Sequence, residues 1–368
     1  MMPGRWDPCV AHRGGEIDSF VEAHFAAPER RVLLVGGAGF DPRSTAVGYK
    51  LSQTEAQIRG LFLREYRPNP SPTLLNRAET NVAALRAAIP DQEAATVNIF
   101  GSDGAVVGGR NAVALMGQQD LTGMTDIVVD ISALSVGTAF PIIRYLVELS
   151  VRAQGTFNLH LFVTYNPALD AAIVSLASDM PGFVHGFRGA STLDSAARAA
   201  KLWLPQLASG RAAALGRLHS FVDPHDTCPI LPFPAIDPRA GDRLAEEFLT
   251  QFESGWSVDT RNIVYADESD PLDLYRTILR LDDLRKPVFA EVGGSLLILS
   301  PLGSKVMALG ALMAALERDL PVAYLEAIGY EFAESPSQEE SPDMIHIWLE
   351  GEVYPQPRPT LKNERMAA

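Results

Sequence analysis

Residues Leu296 to Leu316 read LLILSPLGSKVMALGALMAAL, an apolar run, a short Ser-Pro-Leu-Gly-Ser-Lys elbow and an apolar-periodic helix in direct succession. A strand that hands over directly to a helix returns, as a rule, through a crossover to a parallel neighbour, so few architectures suit a chain built this way. Related elbows occur at Val35-Gly36-Gly37-Ala38-Gly39-Phe40-Asp41-Pro42-Arg43 and at Phe100-Gly101-Ser102-Asp103-Gly104. Each would point the unpaired amides of a helix start, with their partial positive charge, out of one end of a sheet.

Strands are expected at Arg31–Val35, Val97–Phe100, Asp126–Ile131, Leu159–Thr164, Ile263–Tyr265, Leu296–Leu299 and Val322–Tyr324. Their apolar runs alternate little, which suits strands covered on both faces. Helices are expected from about Asp41 through Leu63, and at Arg77–Ile89, Ala139–Ala153, Asp242–Gln251, Leu272–Leu281 and Lys305–Arg318. The alternation predicts an α/β fold with mainly parallel sheet and helices on both faces, in two Rossmann-like blocks. Asp41-Pro42-Arg43 and Asp237-Pro238-Arg239 open the first helix of each block, and VVDISALSVGTAFPIIRYLVEL parallels LLILSPLGSKVMALGALMAAL. A duplication with insertions would explain this; so would the grammar common to all βαβ units. The expected organisation is an arm at 1–28, blocks at 29–210 and 211–353, and a Pro-rich tail at 354–368.

At 368 residues, two domains are the natural expectation. With 31 basic and 45 acidic residues the formal charge is −14, which disfavours binding of duplex nucleic acid. Cys9 and Cys228 alone exclude a disulfide framework or a four-cysteine zinc site. No apolar run reaches the ~20 residues of a bilayer span, and the amino terminus lacks a signal-peptide core. A cytoplasmic protein is expected.

The strongest local candidate is Ser300 with Gly303, Ser304 and Lys305: glycine would admit a ligand to the backbone, and serine and lysine would hold an anion. It is not a Walker A loop, and a tight turn with Ser304 as an ordinary helix cap explains it equally. Gly37 and Gly39 with Arg43 form a second seat, Arg43 offering a bidentate fork unless Asp41 already holds it. The Gly-x-G-x-x-Gly spacing of dehydrogenase-type NAD sites fails there, and no cofactor is identified. Ser102 and Asp103, with Arg110 beyond, would contact ribose or phosphate, or simply form an Asp-Gly turn. Asp130 and Ser132 end a buried strand, where open α/β sheets place ligands. No metal site is expected. Asp223–Pro229 lacks a complementary cluster, Asp267–Asp273 could bind magnesium or serve acid–base chemistry but reads more simply as a helix start with Ser269 or Asp270 as cap, and Glu334–Glu340 as a solvated acidic loop.

These features support a sensor or regulatory protein binding a nucleotide-type or other small anion at strand carboxyl ends between the blocks. A protein partner or self-association would accompany that role. An enzyme of nucleotide or sugar-phosphate chemistry, with Asp103, Asp130 or His185 as acid or base, is the alternative; a non-catalytic adaptor is the third. At fold-class level alone the organisation is similar to the Rossmann-like ligand sensors found beside bacterial defence genes, a resemblance that implies a place in a defence or signalling assembly and assigns no residues.

Overall fold

The computed structural model describes residues 4–152, 156–188, 199–333 and 343–354. The expected acidic loop at 334–340 and the tail from 355 onward lie outside these. Among the described residues the chain forms two compact units, one of residues 9–176 and 327–354, the other of residues 4–8 and 177–326. The division expected near residue 210 thus falls at Leu176, and the chain returns to the first unit at Ala327.

The first unit is a seven-stranded sheet with helices. Its elements are β1 (Val10–Arg13), α1 (Gly15–His24), β2 (Arg31–Gly37), α2 (Ala46–Leu51), β3 (Gln57–Tyr66), α3 (Pro72–Ala88) and β4 (Gln92–Asn98). There follow α4 (Gly108–Gly117), β5 (Asp126–Asp130), α5 (Val136–Arg152), β6 (Asn158–Tyr165), α6 (Pro167–Ala172) and a closing strand, Asp343–Glu350. The order across the sheet is β1, closing strand, β6, β5, β2, β3, β4. β6 through β4 are mutually parallel; the closing strand runs antiparallel to both β6 and β1.

Both faces of the central strands are buried, as their unbroken apolar runs require. Val32, Leu34, Phe62, Val128 and Phe162 pack with Ile17, Val21 and Phe25 of the α1 region and with Val47, Leu51, Val82 and Leu85 of α2 and α3. The alternate residues Leu33, Val35, Leu61, Leu63, Ile127, Val129, Leu159 and Leu161 are buried too, and by the two-residue period they face the other side.

Two local expectations are corrected. The amino-terminal residues are no arm: Ile17, Val21 and Phe25 recur every four residues and fill the core as a helical face. The helix expected through Leu63 stops at Leu51, where Thr54 turns back to bond the Leu51 carbonyl. Gln57–Tyr66 is β3 instead, because Leu61 and Leu63 lie on one side and Phe62 on the other.

From β2 the chain adds β3 and β4 on one side, then crosses back to place β5 and β6 on the other. The crevice at the carboxyl ends of β2 and β5 is therefore the topological switch point of the sheet, the place where open α/β sheets bind ligands.

The second unit holds a parallel three-stranded sheet of Asp226–Thr227, Ala200–Pro205 and Ser295–Ser300, and a parallel pair, Ile230–Pro232 with Val264–Ala266. Trp203, Leu215, Leu218, Phe248, Trp256 and Ile298 form its core. Helix Lys305–Arg318 passes so close to helix Pro271–Phe289 that a Cβ on Gly310 would stand 2.2 Å from the Pro271 carbonyl oxygen. Only glycine permits that approach. The fold class is α/β throughout, but three parallel strands are not a copy of seven. One local parallel holds. Ser132 Oγ accepts the Thr164 amide, and Ser300 Oγ donates to the Ala323 carbonyl, each serine tying its strand to the strand after the next helix. No helix among the described residues is long and apolar enough to cross a membrane.

Candidate functional site

At the switch point β2 ends in Gly37, and the chain turns through Ala38-Gly39-Phe40-Asp41 into a short 3-10 helix, Pro42–Thr45. A Cβ on Gly37 would lie 2.7 Å from the Ala133 carbonyl oxygen, so the loop after β5 presses directly on this backbone. Gly39 is different: nothing lies within 4 Å of where its Cβ would be. The space beside the backbone is filled at Gly37 and free where a Gly39 Cβ would stand, while Asn81 Nδ2 holds the Gly39 carbonyl at 2.8 Å and the Asp41 carbonyl at 3.0 Å.

The charged groups around it pair among themselves. The Arg43 guanidinium is buried and forks onto Asp41, Nε at 3.0 Å and Nη2 at 2.7 Å, while Nη1 donates to Asp170 at 2.6 Å. Asp41 also caps the 3-10 turn by accepting the Arg43 amide at 3.0 Å. Glu65, at the end of β3, accepts the Ser135 amide at 2.9 Å and the Ser135 hydroxyl at 2.8 Å, and pairs with Arg67 at 2.9 Å. Burial works against its charge, yet Arg67 and the Ser135 bonds hold its carboxyl below the ordinary range. The anion beside the start of α5 is thus one the chain supplies itself.

Asp130 stands apart. It is 2% exposed and, among the described residues, accepts the Ser132 amide at 3.0 Å and the Ser132 hydroxyl. Burial, with Asp41 adding like charge, outweighs those bonds and the more distant Arg43 and pushes its carboxyl from 3.8 up to about 7. A carboxyl that takes and gives a proton near neutrality at a switch point is a functional candidate.

Beyond Gly39 lies a half-buried aromatic group. The Phe40 ring is 5.2 Å from that of Tyr330 and 6.2 Å from that of Phe332, both on strand Ala327–Phe332 of the same unit. Two guanidiniums lie over these rings, Arg67 at 5.0 Å from Tyr330 and Arg77 at 4.1 Å from Phe332. Arg77, on the second turn of α3, makes no ion pair among the described residues. Flat π faces with cations beside them suit a planar heterocycle carrying negative charge.

The sequence candidates divide accordingly. Gly37, Gly39, Arg43 and Ser132 do meet at the switch point, though Arg43 and Ser132 are bonded within the chain. Ser102 and Asp103 are exposed in the turn beyond β4, with Asp103 accepting the Ala105 amide at 3.1 Å and Gly104 at φ 79°. Ser300, Gly303, Ser304 and Lys305 belong to the second unit. There Ser300 is wholly buried between Trp203 Nε1, at 2.9 Å, and the Ala323 carbonyl, and Ser304 caps its helix through the Met307 amide at 3.2 Å. Of the two expected caps, Asp270 is the one that closes the helix starting at Pro271, accepting the Leu272 amide at 2.9 Å.

Sequence reading missed the aromatic group, whose members lie far apart in the chain. It also missed a cluster at the opposite end of the sheet, where His24 and His160 meet Asp126 and a chain of rings continues from His160 through His346 to His12. A signal existed. Leu159-His160-Leu161 and Ile345-His346-Ile347 each centre a histidine in an apolar strand, where burial obliges it to find a polar partner.

No family profile and no curated protein matches the chain. Among solved structures it is similar to an uncharacterised protein from Listeria monocytogenes serotype 4b, at 10% identity over 46% of this chain and 61% of that one, with a TM-score of 0.23. It is similar also to the delta-N METTL16 methyltransferase domain, at 10% identity over 42% and 66%, with a TM-score of 0.23. A universal stress protein from Archaeoglobus fulgidus DSM 4304 shares 11% identity over 81% and 97%, again with a TM-score of 0.23. The chain spans less than two thirds of the length of the first two. Similarity of this degree says nothing about function.

Proposed function

We propose that the first unit binds a small nucleotide-type ligand at the carboxyl edge of its sheet and serves as a sensor or regulatory module. The observation that carries this is the half-buried Phe40–Tyr330–Phe332 group with the Arg77 guanidinium over Phe332, next in the chain to Gly39, which leaves its side-chain space free. A base would stack on the rings, and Arg77 would meet the charge. Arg43 is not the clamp, since two carboxylates already hold it.

Calorimetry and melting curves with adenosine, AMP, ADP, ATP, their guanine counterparts, cyclic nucleotides and inorganic phosphate test the proposal. Saturable binding with a raised melting temperature is expected. Phe332→Ala and Arg77→Ala should each weaken it about tenfold or more, since stacking and cation–π contacts contribute roughly 1–3 kcal/mol. Absence of binding by all of these, or binding indifferent to both substitutions, overturns the proposal. Lys305→Ala decides whether the Ser300, Gly303, Ser304, Lys305 elbow shares the ligand: a matching loss assigns it a part, an unchanged affinity removes it.

An enzymatic reading draws support from Asp130 alone. A carboxyl titrating at about 7 suits general acid–base work on a bound nucleotide. Turnover abolished by Asp130→Asn would favour this reading; stoichiometric binding without turnover favours the sensor.

A further inference from the structure

We propose that the amino-terminal end of the seven-stranded sheet is a site for one divalent transition-metal ion, of the zinc, cobalt(II) or iron(II) kind, ligated by His24 Nε2, His160 Nε2 and Asp126 Oδ1. This site is independent of the nucleotide reading. Asp126 and Asp130 are the two ends of β5, roughly 13 Å apart at the rise of a strand.

The spacing of the donor atoms comes first. Asp126 Oδ1 lies 2.8 Å from His24 Nε2 and 3.1 Å from His160 Nε2, and all three atoms lie within 4.8 Å of one another. An ion bonded at about 2.0–2.2 Å to ligands 90–110° apart separates neighbouring donor atoms by roughly 2.9–3.5 Å. The two distances to Asp126 already stand at nearly that spacing. Two imidazoles and one carboxylate suit zinc, cobalt or iron rather than calcium or magnesium, and three protein ligands leave a position for water.

The groups behind the ligands come second. Asp126 Oδ2 takes the Thr125 hydroxyl at 2.6 Å with the Arg30 guanidinium 3.5 Å away, and Asn158 Nδ2 steadies Oδ1 at 3.0 Å, so an ion would approach from the Oδ1 side. His160 Nδ1 meets His346 Nε2 at 3.0 Å, and His346 Nδ1 meets His12 Nδ1 at 2.9 Å. Phe20 stacks on His12, His24 and His346, with ring centroids at 4.5, 5.3 and 4.2 Å, so the rings cannot turn freely. His160 is thus fixed through its second nitrogen, as metal-bound histidines ordinarily are, and His24 by the ring of Phe20.

The proton inventory allows the ion to enter. Without it, the carboxylate can only accept, so His24 and His160 each give it their Nε2 proton. His160 Nδ1 then accepts from His346 Nε2, and His346 Nδ1 accepts from His12 Nδ1. With the ion bound, every tautomer reverses. His160 donates from Nδ1 to His346 Nε2, His346 from Nδ1 to His12 Nδ1, and the last proton rests on His12 Nε2 at the half-buried end. Each ring keeps one proton, so binding requires rearrangement along the chain of rings and no net ionisation. Four of the chain's seven histidines make up this assembly, and they come from β1, α1, β6 and the closing strand.

The test uses the full chain without a histidine tag, stripped with chelator and dialysed. Titration with cobalt(II), read by visible absorption, should give ligand-field bands saturating at one equivalent, and zinc(II) should displace the cobalt. His24→Gln and His160→Gln should each lower zinc affinity at least about a hundredfold. His12→Gln, at the far end of the chain of rings, should lower it on the order of tenfold. His219→Gln, in the other unit, should leave it unchanged. His24 lies at a helix end with 8% of its side chain exposed, so its variant is decisive even if His160→Gln fails to fold; melting curves check both. Wild-type protein that takes up neither ion, or uptake undiminished in the folded ligand variants, overturns the proposal and leaves the cluster as a hydrogen-bonded brace.

Discussion

Replacement of Arg43 by methionine is expected to destabilise the protein by about 3–5 kcal/mol, the usual consequence of removing one partner from a buried ion pair. Arg43 is 5% exposed and neutralises Asp41 through Nε and Nη2 and Asp170 through Nη1. Methionine fills the space but leaves Asp41 charged and poorly hydrated. Against a typical stability of about 5–15 kcal/mol, such a loss is readily measured by urea denaturation. Arg43→Lys should fall between, since lysine keeps the charge and loses the fork. Arg43→Met with Asp41→Asn should recover much of the loss. A loss below about 1 kcal/mol would mean that Arg43 is an exposed pair; it would then be available to a ligand, as its place after the glycine loop first suggests.

Asp130→Asn is expected to act in the opposite direction and to depend on pH. The folded carboxyl titrates at about 7 and the ordinary one at 3.8. Between those values the native protein binds a proton that the unfolded chain has lost, so the contribution of Asp130 to stability falls as pH rises across that window. Below about pH 4 both states are protonated and the variant should match the parent. At pH 8 the parent carries a buried charge that asparagine does not, and the variant should be more stable by about 2–4 kcal/mol. Asparagine still accepts the Ser132 amide and hydroxyl, so the gain reports the charge alone. A protein more stable than its parent yet weaker in ligand binding or turnover would mark Asp130 as a functional group held at a cost to the fold. Equal stability at pH 8 would show that Asp130 is not under strain.

The units readable in the sequence are those whose causes are local. β5, α5, β6 and helix Lys305–Arg318 follow from apolar runs bounded by Ser, Gly and Asp, and the caps at Asp270 and Ser304 from side chains that bond amides two or three residues on. β3 was ambiguous because Ala56, Ile58, Leu61 and Leu63 fit a helical face and a strand alike; tertiary burial on both sides decided it. The closing strand was invisible, since its register against β6 joins His346 to Phe162 across most of the chain. The site was half legible for the same reason. Gly37, Gly39 and Asp130 could be placed at strand ends, but the Asp170 that occupies Arg43 is 127 residues away, and the rings of Tyr330 and Phe332 approach Phe40 only after the chain has left the unit and returned. Of the histidine cluster, the His12–His346 contact spans 334 residues. No local pattern carries such a pairing.

Hydrogen–deuterium exchange, with and without the nucleotide that binds most tightly, tests the central claim most directly. Amides at Gly37–Thr45 and Ala327–Phe332 should slow together on binding, because the ligand would cover the free space at Gly39 and the rings beside it. Protection confined to other segments, with both of these exchanging as before, would contradict a ligand site at the carboxyl edge of this sheet.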